Sequence, residues 1–159
     1  MARGHILVVE DDEEQRKLYA DFLSCFGYDV SAAAGWEDAV VLINGAEDVR
    51  IKPILVILDV MIPDMDGFEI CRRLRQALGS KIPILFFTAY DGDPATVLKA
   101  LQAGGNDFLV KSGSLNPLLD RISHWTKPSV LDVIETAREK AIREITAKLK
   151  KRRTGYAVA

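Results

Sequence analysis

Carboxylates, a hydroxyl and an ammonium recur where apolar runs of this sequence end. The run Ile6–Val9 leads straight into Glu10-Asp11-Asp12, and Ile54–Leu58 stops at Asp59. Thr88 closes the run Ile82–Phe87, and Lys111 follows Phe108–Val110. Taken singly, each has an ordinary role. Asp12 or Glu13 suits the positive end of a helix, Asp59 a turn, Thr88 a strand or cap, and Lys111 a solvated surface. Four such residues at four successive run ends are a different matter. Carboxylates brought into one pocket repel one another, so ionising them together requires a cation. Magnesium suits hard oxygen ligands and needs only one or two carboxylates, because it keeps several waters. Zinc would want His or Cys, and none stands at these run ends. Lys111 supplies a point charge for a phosphoryl oxygen or a carboxylate, and the Thr88 hydroxyl can donate to another oxygen. An aspartate beside a metal can attack phosphorus to give an acyl phosphate.

The elements that must position these groups alternate along the chain. The strands expected are Ile6–Val9, Tyr28–Ala32, Ile54–Leu58, Ile82–Phe87 and Phe108–Val110, apolar without strict alternation, as in strands covered on both faces. Between them lie helical patterns. Leu18, Phe22 and Phe26 are expected to form the buried face of the first, which stops at Gly27. Trp36, Ala39, Val40 and Ile43 form a second face, and Phe68, Cys71, Leu74 and Leu78 a third. Asp93-Pro94 opens a fourth helix, whose apolar residues are Val97, Leu98 and Leu101. Ser114 caps a fifth that runs to about Thr126. Five strand–helix units imply a doubly wound α/β fold with a parallel sheet. Ligands in such sheets bind at the carboxyl ends of the strands, where the reactive residues sit.

Bulk properties narrow the partners. The 159 residues suit one domain with an appendage. A formal net charge of -2 gives no overall pull toward nucleic acid or an anionic membrane, and no nucleic-acid partner is expected. Cys25 and Cys71 lack companions at metal-ligand spacing and read as core thiols. No apolar stretch approaches the roughly 20 residues of a membrane span, so a cytoplasmic location is expected.

The stretches ILVVEDDEEQR, LVILDVMIPDMDGFEICRRLR, IPILFFTAY and ALQAGGNDFLVK together resemble the two-component response-regulator receiver family. The resemblance covers residues 4–127 and leaves 128–159 as a C-terminal amphipathic helix and basic tail. It implies a flavodoxin-like five-stranded sheet in the order 2-1-3-4-5. It further implies that Asp59 is the phosphoacceptor and that magnesium is held by Asp11, Asp12, Asp59 and the backbone carbonyl of Met61. Thr88 and Phe108 would be the switch pair, and Lys111 the phosphate-contacting base. Pro63 and Gly67 match the turn into the third helix. The implied partners are a sensor histidine kinase or phosphotransfer protein and a downstream protein on the surface of helix 4, strand 5 and helix 5. The chain would be no enzyme beyond its own phosphotransfer and autodephosphorylation. One departure is Ser112, where the family has proline after the lysine. A cis bond before a non-proline costs roughly 2.5–4 kcal/mol, so a trans loop and altered coupling to helix five are expected. Tyr90, two residues past Thr88, is placed to cover an acyl phosphate.

Beyond Pro128, Ser129-Val130-Leu131-Asp132 reads as a capping box. Ile134, Ala137, Ala141, Ile145 and Leu149 then form a stripe that needs a partner. Packing on the same chain, a homodimer through residues 129–150, and a link to an output domain all satisfy it. The run KLKKRR suits a helix C-terminus. Two other function classes compete with the signalling module. A magnesium-dependent aspartyl-phosphate phosphatase or phosphotransferase would usually carry a second acid where Met61 stands, together with a cap insertion. A flavin or nucleotide module would need a phosphate-cradling loop in place of EDDEEQR. A phosphorylation-independent receiver-like module is the remaining alternative.

Overall fold

The computed structural model describes residues 2–48, 50–128 and 130–155. The chain divides into two units, Met1–Thr126 and Lys127–Ala159. In the first unit, β1 (His5–Val9), α1 (Glu13–Cys25), β2 (Asp29–Ala33), α2 (Trp36–Asn44), β3 (Pro53–Leu58) and α3 (Gly67–Leu78) alternate along the chain. They are followed by β4 (Ile84–Thr88), α4 (Pro94–Gln102), β5 (Asp107–Val110) and α5 (Asn116–Thr126). The second unit carries α6 (Val130–Gly155).

All pairings in the sheet are parallel, and the order is β2-β1-β3-β4-β5. Successive side chains of a strand point to opposite faces, so each central strand contributes to two cores. Leu7, Val9, Val56, Leu58 and Phe86 meet Ala39 and Ile43 of α2, Ile70, Cys71 and Leu74 of α3, and Ala100 of α4. Ile6, Val8, Leu55, Ile57, Leu85 and Phe87 meet Tyr19 and Leu23 of α1 and Leu118 and Ile122 of α5. This double coverage is why the central strands are apolar along Ile6–Val9, Ile54–Leu58 and Ile84–Phe87.

Three helices begin on a short acid that satisfies an otherwise orphaned amide. The carboxylates of Asp12, Asp66 and Asp93 accept from the amides of Gln15, Glu69 and Thr96. Ser114 Oγ accepts from the amide of Asn116 at the start of α5. Gly27 ends α1 at φ 87°, a conformation that a side chain disfavours.

Two expected faces are corrected. The buried face of α1 is Tyr19 and Leu23, whereas Leu18 and Phe26 are exposed. The Tyr19 ring packs tilted against Phe87 at 5.4 Å, and Phe22 and Phe26 pair likewise. On α4 the inward residues are Thr96 and Ala100, and Leu98 and Leu101 face outward. Phe86 already fills the space beside α4, since a Cβ on Gly105 would lie 2.6 Å from its ring and 2.9 Å from the Ala100 carbonyl. Among the described residues no peptide bond is cis, and no helix is long and apolar enough to cross a membrane. Ser129 and Tyr156–Ala159 lie outside the described residues, as do the side chains of Val130, Leu131, Ile134, Arg152 and Arg153. The capping box and the ends of the stripe and basic run therefore fall outside as well.

Candidate functional site

The carboxyl ends of β1, β3, β4 and β5 bring four side chains together. Glu10 follows β1, and its amide bonds the Ala33 carbonyl of β2 at 3.0 Å. Arg16, one turn into α1, donates to the carbonyls of Glu10 and Asp11, both at 2.8 Å, and pins the loop between strand and helix. Asp59 follows β3 and is tied to β1 by a 3.1 Å bond from its amide to the Val9 carbonyl. Behind it α3 approaches so closely that a Cβ on Gly67 would lie 2.2 Å from the Asp59 carbonyl oxygen. Only glycine fits there.

Lys111 joins these pieces. Its amide bonds the Thr88 carbonyl at 2.7 Å, fixing the end of β5 to β4. Its ammonium donates to Glu10 Oε2 at 2.7 Å, Asp59 Oδ2 at 2.9 Å and Gln15 Oε1 at 2.6 Å. Gln15 Oε1 also accepts from the Tyr19 hydroxyl at 2.8 Å. The second Asp59 oxygen accepts from the Met61 amide at 3.1 Å. Thr88 is fully buried, and its hydroxyl oxygen accepts from the Tyr90 amide at 3.2 Å. Phe108 is half-buried and stacks on Phe86 at 6.3 Å.

Two buried carboxylates facing one ammonium leave a negative charge uncompensated. Burial, reinforced by the neighbouring Asp59 carboxylate, pushes the Glu10 carboxyl up to about 7 against the pull of Lys111. Burial also acts upward on Asp59. Hydrogen bonds from Lys111, Thr88 and the Met61 amide outweigh it and hold Asp59 below the ordinary carboxylate range. For Lys111 burial acts downward, and its bonds to Glu10 and Asp59 overcome this to keep it firmly charged.

Oxygens of Glu10, Asp11 and Asp59 lie within 4.8 Å of one another, a hard-oxygen donor set that fits magnesium. Asp12 is not in that set. Its Oδ1 caps α1 by accepting from the Gln15 amide at 2.9 Å. The structure thus gathers Asp11, Asp59, Thr88 and Lys111 as expected and sets Asp12 on the helix. Sequence reasoning missed Gln15, Tyr19 and Arg16. The only local signal was that Gln15 and Tyr19 stand four apart on one helix face.

Residues 6–123 match the family model described as response regulator receiver domain. Response regulator MprA of Mycolicibacterium vanbaalenii is 43% identical over 117 residues, 74% of this chain and 48% of that protein. Transcriptional regulatory protein AfsQ1 of Streptomyces coelicolor is 37% identical over 106 residues, 67% of this chain and 44% of its own length. The chain spans about half the length of these curated relatives. Among solved structures, the BeF3-activated receiver domain of Klebsiella pneumoniae RstA is 32% identical, with TM-score 0.66 over 77% of this chain and 98% of that one. TrrA of Thermotoga maritima, solved in complex with Mg(2+)-BeF, is 25% identical with TM-score 0.66, covering 77% and 98% of the two chains. With its parallel sheet in the order 2-1-3-4-5 and its acidic group at the strand ends, the chain belongs to the response regulator receiver domain family.

Proposed function

We propose that Asp59 accepts a phosphoryl group from a phosphohistidine on a partner kinase or phosphotransfer protein, and that the phosphorylated chain changes its protein contacts. The observation that carries this reading is the Lys111 ammonium clamped between Asp59 and Glu10 in a pocket of carboxylates. In the transfer, an Asp59 oxygen forms the new bond to phosphorus as the bond from phosphorus to the donor imidazole nitrogen breaks. The freed nitrogen then takes a proton from solvent. Asp59 is suited to attack because it is held ionised and oriented by the Met61 amide and Lys111. Lys111 can move from carboxylate to phosphoryl oxygen without leaving the pocket, while Gln15 keeps hold of it. In this reading Glu10, Asp11 and Asp59, with the Met61 carbonyl, hold magnesium, which supplies charge neutralisation for the carboxylates and the transferring group. Asp12 stays on the helix.

Thr88 and Phe108 are the proposed switch pair. The Thr88 hydroxyl, whose oxygen accepts from the Tyr90 amide, can donate its own proton to a phosphoryl oxygen on Asp59. Phe108 stands beside Phe86 with room governed by Gly92, whose absent Cβ would lie 3.5 Å from the Phe108 ring. Exposed Leu98 and Leu101 on α4 and Val110 on β5 support an output surface over α4, β5 and α5. The module acts in the cytoplasm in this reading. A small-molecule phosphatase is less well supported, because Met61 stands exposed where a second acid would be expected.

The test is to incubate the full chain with magnesium and acetyl phosphate and weigh it intact. One phosphoryl adduct, absent in Asp59→Asn, is expected. No adduct on the wild type, or one that persists in Asp59→Asn, would overturn the proposal, and rapid turnover of the donor would favour the enzyme reading.

A further inference from the structure

Lys111 shares its ammonium with a neutral partner that phosphoryl chemistry does not itself require. An ammonium has three protons to give. Here they go to Glu10 Oε2 at 2.7 Å, Asp59 Oδ2 at 2.9 Å and Gln15 Oε1 at 2.6 Å. The first two acceptors are carboxylates, whose electrostatic load changes when a cation enters the pocket or a phosphoryl group is added. Gln15 carries no charge, and neither event gives it one.

Gln15 is itself held from two sides. Its backbone amide donates to the Asp12 carboxylate that caps α1. Its side-chain oxygen accepts a second bond, from the Tyr19 hydroxyl at 2.8 Å. One helical turn separates the two residues, which places them on one face of α1. Because an ammonium can only donate, the Gln15 atom that faces Lys111 must be the carbonyl oxygen and not the amide nitrogen. Tyr19 is fixed in turn, being 4% exposed with its ring packed on Phe87. The Lys111 nitrogen stands 5.9 Å from the centroid of each of these rings, within reach of cation–π attraction. Packing alone would account for the Tyr19 ring, and a solvated helix face for a glutamine. Neither accounts for two donors meeting on one oxygen, one of them a lysine 96 positions away in sequence.

We propose that Gln15, with Tyr19 behind it, is a positioning residue that keeps the Lys111 ammonium beside Asp59 during phosphoryl transfer. The inference rests on Asp59 being the phosphoacceptor. As the Asp59 oxygen bonds to phosphorus, Lys111 keeps its proton and exchanges its contact with Asp59 for one with a phosphoryl oxygen. The bond to Gln15 limits how far the ammonium can follow Glu10 instead. Tyr19 acts through Gln15, by turning the amide oxygen toward the lysine.

Gln15→Met keeps the length and helix preference of the side chain and leaves only a weak acceptor. Tyr19→Phe keeps the ring and removes the hydroxyl. Labelling of the full chain by acetyl phosphate at saturating magnesium should slow about three- to tenfold in Gln15→Met, equivalent to about 0.7–1.4 kcal/mol in the transition state. Tyr19→Phe should slow it less, and adding Tyr19→Phe to Gln15→Met should slow it no further, because both act through one bond. Circular dichroism checks that each variant is folded. A proton–nitrogen correlation spectrum of the lysine side chains then reads the contact directly. The Lys111 ammonium signal, assigned by its loss in Lys111→Arg, should be sharp in the wild type and lost to fast proton exchange in Gln15→Met. A helix that merely packed less well would leave that signal in place. Labelling of Gln15→Met at the wild-type rate, an unchanged Lys111 signal, or losses that multiply in the double variant would each overturn the positioning role alone. A wild type that takes no phosphoryl group on Asp59 would overturn the underlying reading with it.

Discussion

The acidic pocket should cost the protein stability, and Glu10→Gln should recover it in a pH-dependent way. Glu10 is 3% exposed, and its carboxyl is raised from an ordinary 4.5 to about 7 by burial and by Asp59. Between these values the native state keeps a proton that the unfolded chain has released. The unfolded state binds fewer protons, so stability falls as pH rises through that window. Each pH unit is worth about 1.4 kcal/mol, which sets a ceiling of about 3 kcal/mol lost by pH 8. Glutamine resembles the protonated acid in shape and lacks the ionisation, so Glu10→Gln should match the wild type near pH 4.5 and exceed it by up to about 3 kcal/mol at pH 8. Asp59 does not obscure the comparison, because its carboxyl is lowered and its own window lies below 3.8. Urea unfolding at half-unit steps from pH 4.5 to 8, in chelator, measures the difference. Parallel stability profiles for the two proteins would refute the reasoning, as would a variant that loses stability at pH 8.

Two further outcomes separate neighbouring roles at the same site. Asp12→Ala should lose about 1 kcal/mol by uncapping α1 yet leave magnesium affinity within a few-fold. Asp11→Ala should keep the cap and weaken magnesium binding more than tenfold, with calorimetric titration and urea midpoints as the paired readouts and the reverse pattern restoring Asp12 as a ligand. In Gly67→Ala the new Cβ would meet the Asp59 carbonyl oxygen at 2.2 Å and the Val60 Cα at 2.8 Å. Neither backbone atom can swing away, so a loss of roughly 1–3 kcal/mol is expected, together with slower acetyl-phosphate labelling. Unchanged labelling would show that the approach of α3 does not set the position of Asp59.

The central strands were readable because full coverage of both sheet faces leaves an unbroken apolar run, a signal that survives without knowledge of neighbours. The face of α1 was not. Leu18-Phe22-Phe26 and Tyr19-Leu23 are overlapping stripes one residue apart, and local periodicity gives the first more apolar surface. The second is buried because Tyr19 reaches Phe87 while its hydroxyl finds Gln15, a choice made by tertiary contact. The acidic run posed a similar problem. Five consecutive carboxylates, Glu10 to Glu14, look alike in sequence, and which one caps depends on where α1 begins. Asp12 stands three residues before Gln15 and takes the cap, which leaves Glu10, at the buried end of β1, to face Lys111 across 101 positions of sequence.

Magnitudes explain why such a switch has to be built on a buried lysine. Moving a two-state equilibrium from 1:99 to 99:1 requires about 5.5 kcal/mol of differential interaction. An exposed ion pair supplies at most about 1 kcal/mol. The Lys111 side chain is 14% exposed, against 4% for Glu10 and 7% for Asp59, so its contacts are little screened by solvent. A phosphoryl group adds up to about two negative charges, and on Asp59 these would compete with Glu10 for the same ammonium. The Lys111 amide is bonded to the Thr88 carbonyl, so any shift of the lysine is felt where β4 and β5 end together. Phe108 lies on that strand three residues earlier and packs on Phe86 in the core beside α4. Under the proposed phosphorylation, a change of charge at Asp59 would act on the junction of Lys111 with Thr88, one short strand away from the core that Phe86 and Phe108 share with Ala100 of α4.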